Sequence, residues 1–493
     1  MNDEEFIKQH ISNEEAYEWM KENIPFLECP DHEIEETYYF RWWVYRKHVK
    51  YTPEGYIITE FLPDVYWAGK YNSINCAAGH HLYEGRWLRN GNIYMEDYIR
   101  FWLRGNGDIR SYSTWIADAV YQYCLVKGEF QLAVELLSEL KENYGQWEKD
   151  HRHESGLFWS NDDRDAMEYS ISGNGLRPTL NSYMYGDAMA IAKIAEIAGD
   201  SACQEYYKKA EKIKELVQTK LWDQEEQFFK VIPLESRNCQ IRDWSFRKVL
   251  PEHNVREEIG FIPWYFHLPD RGFEKAWKQL TQDKGFAAPY GPTTAEKRHS
   301  RFNYEQKDHE CLWNGPSWPF ATTQTLIAMA NLLKDYSQTY VTKEDFHDIF
   351  AAYTHSHYRI DGRGKKVNWL DENLDPCSGE WISRKILKSW GWKKEKGGYE
   401  RGKDYNHSAY ADIVISKIFG IEPKENGEMQ IRPMFPEKWK YCSLQKVQCQ
   451  KNEISIFYDK TGEVYRKGSG YQVWKNGKCV YRSEKPENVT IKS

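Results

Sequence analysis

Five charged residues stand within positions 162–168: Asp162, Asp163, Arg164, Asp165 and Glu168, inside HESGLFWSNDDRDAMEYSISG, 153–173. Carboxylates crowded this closely raise one another's pKa unless a cation compensates, so one of them can stay protonated near neutrality as a general acid. Trp159 stands just before the cluster and offers a face on which a sugar ring can stack. Arg164 offers donors to hydroxyls, and Glu168 a carboxylate to bind one. The plain alternative is a solvated acidic turn ahead of the helix that apolar spacing predicts near Asp187.

Cleaving a glycosidic bond by acid and base needs a second, ionised carboxylate on the opposite side of the bond. The stretch NWLDENLDPCSGEW, 368–381, supplies Asp371, Glu372, Asp375 and Glu380 between Trp369 and Trp381. Its DPCSG run is a turn signal, which places Glu372 on a loop. Between the two acidic sites, LWNGPSWPF, 312–320, predicts a turn at Gly315–Pro316 that sets Trp313 and Trp318 on a cavity wall. DYNHSAYADIVI, 404–415, opens a helix with Asn406, His407 and Ser408, as caps or as sugar ligands.

The elements that must position these groups read as helices. From Ser111, apolar residues recur at Ile116, Val120, Tyr123 and Cys124, and its partner carries Ala133, Leu136, Leu137, Leu140 and Tyr144 on one face. The same rhythm returns at Ala188, Ile191, Ala192 and Ala195, then at Ala210, Ile213, Val217 and Leu221. Further helices are expected near 256–266, 271–282, 320–334, 343–354 and 405–419. About a dozen helices joined by short connections, without a fixed-period repeat, fit an α/α toroid of six hairpins better than a superhelical array. After Gly420 the pattern alternates, and YQVWKNGKCVYR predicts two strands about a type I′ Asn-Gly turn. The expected division is therefore 1–420, an (α/α)6 barrel, and 421–493, a small antiparallel β domain.

Composition narrows the function. Among the 493 residues 16% are aromatic, with 21 Trp and 35 Tyr, an excess that suits a carbohydrate-handling surface. A net charge of −7 without a basic block disfavours nucleic acid. No apolar run approaches the roughly 18 residues of a spanning helix, and the acidic start MNDEEFIKQH is no secretory signal. Ten scattered cysteines without CxxC pairs or ligand spacing read as reduced thiols of a cytoplasmic protein. Neither a metal nor another cofactor is expected, and the sequence leaves oligomeric state open.

Over about residues 35–440 the chain resembles the (α/α)6-barrel glycoside hydrolases, nearest to glycoside hydrolase family 63 and its mannosylglycerate-hydrolase-like members, with trehalases as clan relatives. Glu154-Ser155-Gly156 and the acidic turn after it resemble the segment carrying the general acid. WNGPSW resembles an aromatic-x-Gly-Pro-x-Trp stretch, and DENLDPCSGEW the segment of the general base, with Glu372 at the matching position. YNHSAYADIVI is similar to the final inner helix, and RPMFPEKW with its trailing strands to the β cap of rhamnosidase-type barrels.

Two departures accompany the likeness. Leu157–Asn161 intervene before the acids, so the general acid is Asp162, Asp163 or Asp165; Asp165 is favoured because it adjoins Arg164. Asn314 stands where the clan has Arg, implying a changed subsite. The expectation is an inverting, exo-acting α-glycosidase with Asp165 as acid, Glu372 as base and Asp162 as the second candidate acid. Arg164, Glu168, Trp159, Trp313, Trp318, Trp369 and His407 are the expected sugar ligands, and the substrate an oligosaccharide or small glycoside. A sugar epimerase or lyase on the same barrel would need His80, His81 and His407 to converge, and a non-catalytic sugar-binding protein is the third class.

Overall fold

The computed structural model describes residues 12–303 and 308–492. Helices α1 (Asn13–Asn23) and α2 (His32–His48) lead through the hairpin Val49–Thr52/Gly55–Ile58 to α3 (Ala78–Gly85), α4 (Gly91–Arg104) and α5 (Ile116–Lys127). A short α6 (Gln131–Glu135) and α7 (Leu137–His151) precede the acidic segment. Beyond it come α8 (Pro178–Ala198), α9 (Cys203–Leu216), α10 (Pro319–Asp335), α11 (Lys343–Ser356), α12 (Ile382–Ser389) and the short α13 (Tyr410–Asp412), which runs into a π-helical turn, Ile413–Ile418. The protein is mainly helical.

Local chemistry accounts for the boundaries. α8 and α10 each begin at a proline, whose missing N–H costs nothing in a first turn. Ser12 with Glu15, and Thr342 with Asp345, form capping boxes on α1 and α11. Helices α3, α8 and α10 are buried almost all round, as central helices must be. α3 packs on α5, α5 on α8, and α8 on the 3-10 segment Glu258–Phe266. That segment packs on α10, α10 on the turn Ile413–Ile418, and α13 back on α3. α9 covers α8, and α11 lies against both α10 and α2.

Four helices expected from periodicity are shorter or tighter. The helix expected from Ser111 begins at Ile116, because Ser111–Trp115 is a loop whose Ser113 bonds the acidic segment. Glu258–Phe266 and Glu274–Gln279 are 3-10 turns, the first carrying Pro263, which removes a backbone donor. The expected 405–419 helix starts at Tyr410, since Tyr405–Ala409 run irregularly along the core.

The strands after Gly420 form antiparallel sheets. One has Ile421–Pro423, Glu428–Ile431 and Val489–Lys492 in that order. The other orders Tyr441–Cys449, Asn452–Asp459, Gly470–Lys475 and Lys478–Ser483, with the early strand Phe26–Glu28 added at its edge against Ser443–Gln445. The Asn-Gly hairpin forms as expected: Lys475 pairs Lys478 across Asn476 and Gly477, both at positive φ.

Candidate active site

The loops leading into α3, α8, α10 and α13 converge on a cavity of about 420 Å³. Glu168 and Glu372, from the two acidic stretches, both line it. Arg164, Trp318 and His407 also line it, as expected, together with Phe61, Tyr66, Trp67, Tyr112 and Tyr405. A wider cavity of about 880 Å³ adjoins it, sharing Asp163, Glu168 and His309. Glu168 thus stands at the junction of the two.

The acidic segment folds as a 3-10 turn, Asp163–Asp165, with Asp162 capping it through Oδ1, 2.8 Å from the Asp163 N–H. Ala166 and Tyr169 are left-handed, at φ 59° and 60°, and these bends turn Glu168 toward the cavity. Backbone bonds fix the loop: Ser113 N–H to the Arg164 carbonyl at 2.9 Å, and Trp313 N–H to the Glu168 carbonyl at 3.1 Å. Glu168 is half-buried, and burial raises its carboxyl to about 8, with repulsion from Asp163, Glu372 and Asp162 added. Arg164 lies at the surface over the Tyr112 ring, 5.3 Å from its centre.

Asp165, the favoured acid, is placed otherwise: it is buried and does not line the cavity. Its Oδ2 accepts from Arg177 Nε at 2.7 Å and from the Thr179 hydroxyl, and its Oδ1 accepts from the Ser113 hydroxyl. Arg177, wholly buried, also bonds the Gly173 carbonyl at 2.5 Å. The pair closes the loop onto the start of α8, which gives Asp165 a structural position. Asp162 faces the wider cavity and accepts from Ser170 Oγ at 3.3 Å.

Glu372 is 1% exposed, and burial raises it to about 7. Arg401 opposes that rise; Glu310 and Asp371 add to it. The Arg401 guanidinium donates through Nη2 to Glu372 Oε2 and through Nη1 to Glu310 Oε1 at 2.8 Å, and Cys311 Sγ lies 3.6 Å from Glu372 Oε2. The loop is held from both sides: Ser317 and Leu374 exchange backbone bonds of 3.0 Å, and Asn373 Nδ2 donates to the Glu310 carbonyl at 3.0 Å. Gly402 packs closely beside it: a Cβ there would lie 1.9 Å from Asp371 Oδ1, so the buried Asp371 side chain would have to shift. The expected turn at Gly315 is present with φ 153°, a value that favours glycine.

Three of the expected tryptophans lie away from the cavity wall. Trp159 donates its indole N–H to the Leu234 carbonyl at 3.0 Å. Trp313 is buried behind Trp318, stacked at 4.6 Å between ring centres. Trp369 is buried under Arg359 and Arg384, whose guanidinium carbons are 3.8 and 4.7 Å from its ring centre. Trp159 and Trp369 meet partners from outside their own motifs and Trp313 a partner within its own, so a Trp-rich motif alone cannot tell a wall from a support.

Of the histidines of the alternative chemistry, only His407 lines the cavity. His80 is sandwiched edge-on between Trp115 and Phe320, and His81 bonds Tyr98 Oη and the Asn406 carbonyl; neither lines the cavity. Burial lowers the pKa of both. Sequence reasoning missed Glu60, Cys76, Cys311, Arg401 and Tyr405, which line the cavity from separate segments. Of these, Tyr405 lay inside the 404–415 motif without being singled out, and Arg401 stood just ahead of it.

Residues 70–408 match the family model described as the mannosylglycerate hydrolase MGH1-like glycoside hydrolase domain. The chain belongs to this glycoside hydrolase family. A solved structure titled "Sialidase" is 39% identical and superposes with a TM-score of 0.88, covering 99% of this chain and 43% of that one. The chain thus spans less than half the length of that relative. More distant structures share the fold: a family 78 rhamnosidase from a Bacillus species, 12% identical, TM-score 0.55, covering 88% of this chain and 40% of that one. A family 63 mannosylglycerate hydrolase from Thermus thermophilus is 11% identical with a TM-score of 0.53, covering 77% of this chain and 99% of that one. Among the described residues no helix is long and apolar enough to cross a membrane.

Proposed function

We propose that this hydrolase is an exo-acting α-glycosidase that inverts the anomeric carbon, with Glu168 as general acid and Glu372 as general base. The observation that carries the reading is that these two carboxyls line one cavity, Glu168 raised to about 8 and Glu372 to about 7. A protonated Glu168 donates to the leaving oxygen while Glu372, ionised beside Arg401, draws a proton from water on the other face of the sugar. The junction position of Glu168 suits an acid: the terminal sugar occupies the 420 Å³ cavity and its leaving group the 880 Å³ one. The smaller volume of the inner cavity, about 420 Å³, favours removal of a terminal unit from an oligosaccharide or small glycoside.

The circuit of contacts through α3, α5, α8, Glu258–Phe266, α10 and α13 supports reading these elements as the inner ring of an (α/α)6 toroid, with residues 421–493 as a small β domain on it. Ten cysteines, all free, support a reducing, cytoplasmic setting. The deciding measurement is a panel of α-linked aryl glycosides and disaccharides with the first-formed sugar followed by NMR. Inversion releases the β-anomer first. First appearance of the α-anomer would overturn the mechanism, and substrate bound without turnover across the panel would overturn the activity.

A further inference from the structure

A second cluster shares the catalytic cavity: Glu60 from the segment after Gly55–Ile58, Cys76 from the loop before α3 and His407 from the run before α13. All three side chains are buried, and one ligand atom from each lies within 4.8 Å of the others. Cys76 Sγ is 3.3 Å from Glu60 Oε2 and 3.4 Å from His407 Nε2. Ligands held about 2.0–2.3 Å from a tetrahedral centre stand roughly 3.3–3.8 Å apart, so both separations have the length of such an edge. The other ring nitrogen, His407 Nδ1, is 3.6 Å from Glu60 Oε1 and makes no hydrogen bond, so the imidazole meets Cys76 with one nitrogen and Glu60 with the other and has one of the two to give to an ion.

The supports are rigid. Asn406 ties the two distant segments together, its N–H bonding the Glu60 carbonyl at 3.1 Å and its side chain the Thr59 carbonyl at 3.2 Å. Asn75, next to Cys76, donates to the carbonyls of Ile109 and Tyr112. Tyr405 donates to Glu60 Oε1 at 2.9 Å, an outer contact of the kind that orients a metal-binding carboxylate. The His407 ring is wedged edge-on between Phe320 and Tyr405, each 4.6 Å away.

We propose that Glu60, Cys76 and His407 bind a divalent zinc-type cation whose fourth position opens into the catalytic cavity, for water or a sugar hydroxyl. One thiolate, one imidazole and one carboxylate form a mixed set suited to zinc, and three protein ligands leave a coordination position free. The metal site stands on its own geometry; only its use by a sugar rests on the hydrolase reading.

Metal analysis of the full-length protein after loading with zinc and dialysis should find one equivalent per chain. Loading with cobalt should produce thiolate-to-cobalt charge-transfer absorption in the near ultraviolet. Cys76→Ser should abolish that absorption, and Cys311→Ser, a neighbouring thiol on the same cavity, should retain it. Tyr405→Phe should weaken zinc binding roughly 10–100-fold while leaving the chain folded. Failure to retain zinc or cobalt, or an unchanged cobalt spectrum in folded Cys76→Ser, would overturn the proposal and leave a hydrogen-bonded trio. None of these readouts uses glycoside turnover, so they stand apart from the fate of the proposed mechanism.

Discussion

Arg401 grips two carboxylates at once, bonding Glu372 through Nη2 and Glu310 through Nη1, with all three side chains out of solvent. The guanidinium fork keeps Glu372 from rising further than about 7, so the carboxylate is available as a base near neutrality. Glu372→Gln keeps the shape and one hydrogen bond but not the proton affinity. It is expected to fold normally and to lose about 10²–10⁴ in kcat, measured on an α-linked disaccharide. Turnover equal to the parent would remove Glu372 from the reaction.

The two candidate acids separate by leaving group. In Glu168→Gln, hydrolysis of a disaccharide should fall by roughly 10²–10⁴, whereas an aryl glycoside with a good leaving group, needing less protonation, should suffer much less. Asp165→Asn should show no such dependence. A comparison of the two variants on both substrates reads this directly.

Asp165→Asn should instead act on stability. Asp165 and Arg177 are fully buried and 2.7 Å apart, so neutralising one strands the other's charge. A loss of about 3–5 kcal/mol in denaturant unfolding is expected. An unaltered unfolding midpoint would show that Ser170 and Gly173 satisfy Arg177 without its carboxylate.

Activity should trace a narrow bell in pH. It rises as Glu372 sheds its proton near 7 and falls as Glu168 sheds its own near 8. Arg401, Glu310, Asp371 and Cys311 face the first group, Asp163 and Asp162 the second. Because the two carboxyls repel each other, the limbs belong to the pair. Glu168→Gln should remove the alkaline limb from whatever turnover remains.

The same raised value makes Glu168 costly to keep. Its carboxyl binds a proton in the folded protein up to about 8, but in the unfolded chain only to about the ordinary 4.5. Stability therefore declines as pH climbs between those values and levels off above them. Glu168→Gln should melt close to the parent near pH 4 and a few degrees above it at pH 8, in a thermal scan across that range.

Much of the architecture was legible because burial on one helical face leaves a period in the sequence. α8 and α10 announce themselves through proline starts and apolar runs, and the Asn476–Gly477 hairpin through the dipeptide chemistry its turn favours. Glu372 was legible through its motif. Which acid of the 162–168 cluster lines that cavity was not: Asp165 has Arg164 beside it in sequence, but its partner in space is Arg177, and no pattern tells which carboxylate a left-handed bend at Ala166 will turn inward. Glu60 and Cys76 were hidden for a related reason, since neither belongs to a motif and only the closure of distant segments brings them to the cavity.

The strand Phe26–Glu28 closes the edge of a sheet whose other members begin at Tyr441. During synthesis that short segment must wait, unpaired, until residues 443–445 have emerged before it finds its neighbour, a contact of very large sequence separation that slows maturation. A fragment cut after Gly420 would leave its backbone donors and acceptors open as a template for intermolecular pairing. Expression of such a fragment should yield aggregates, and supplying the missing C-terminal strands in trans is the natural rescue.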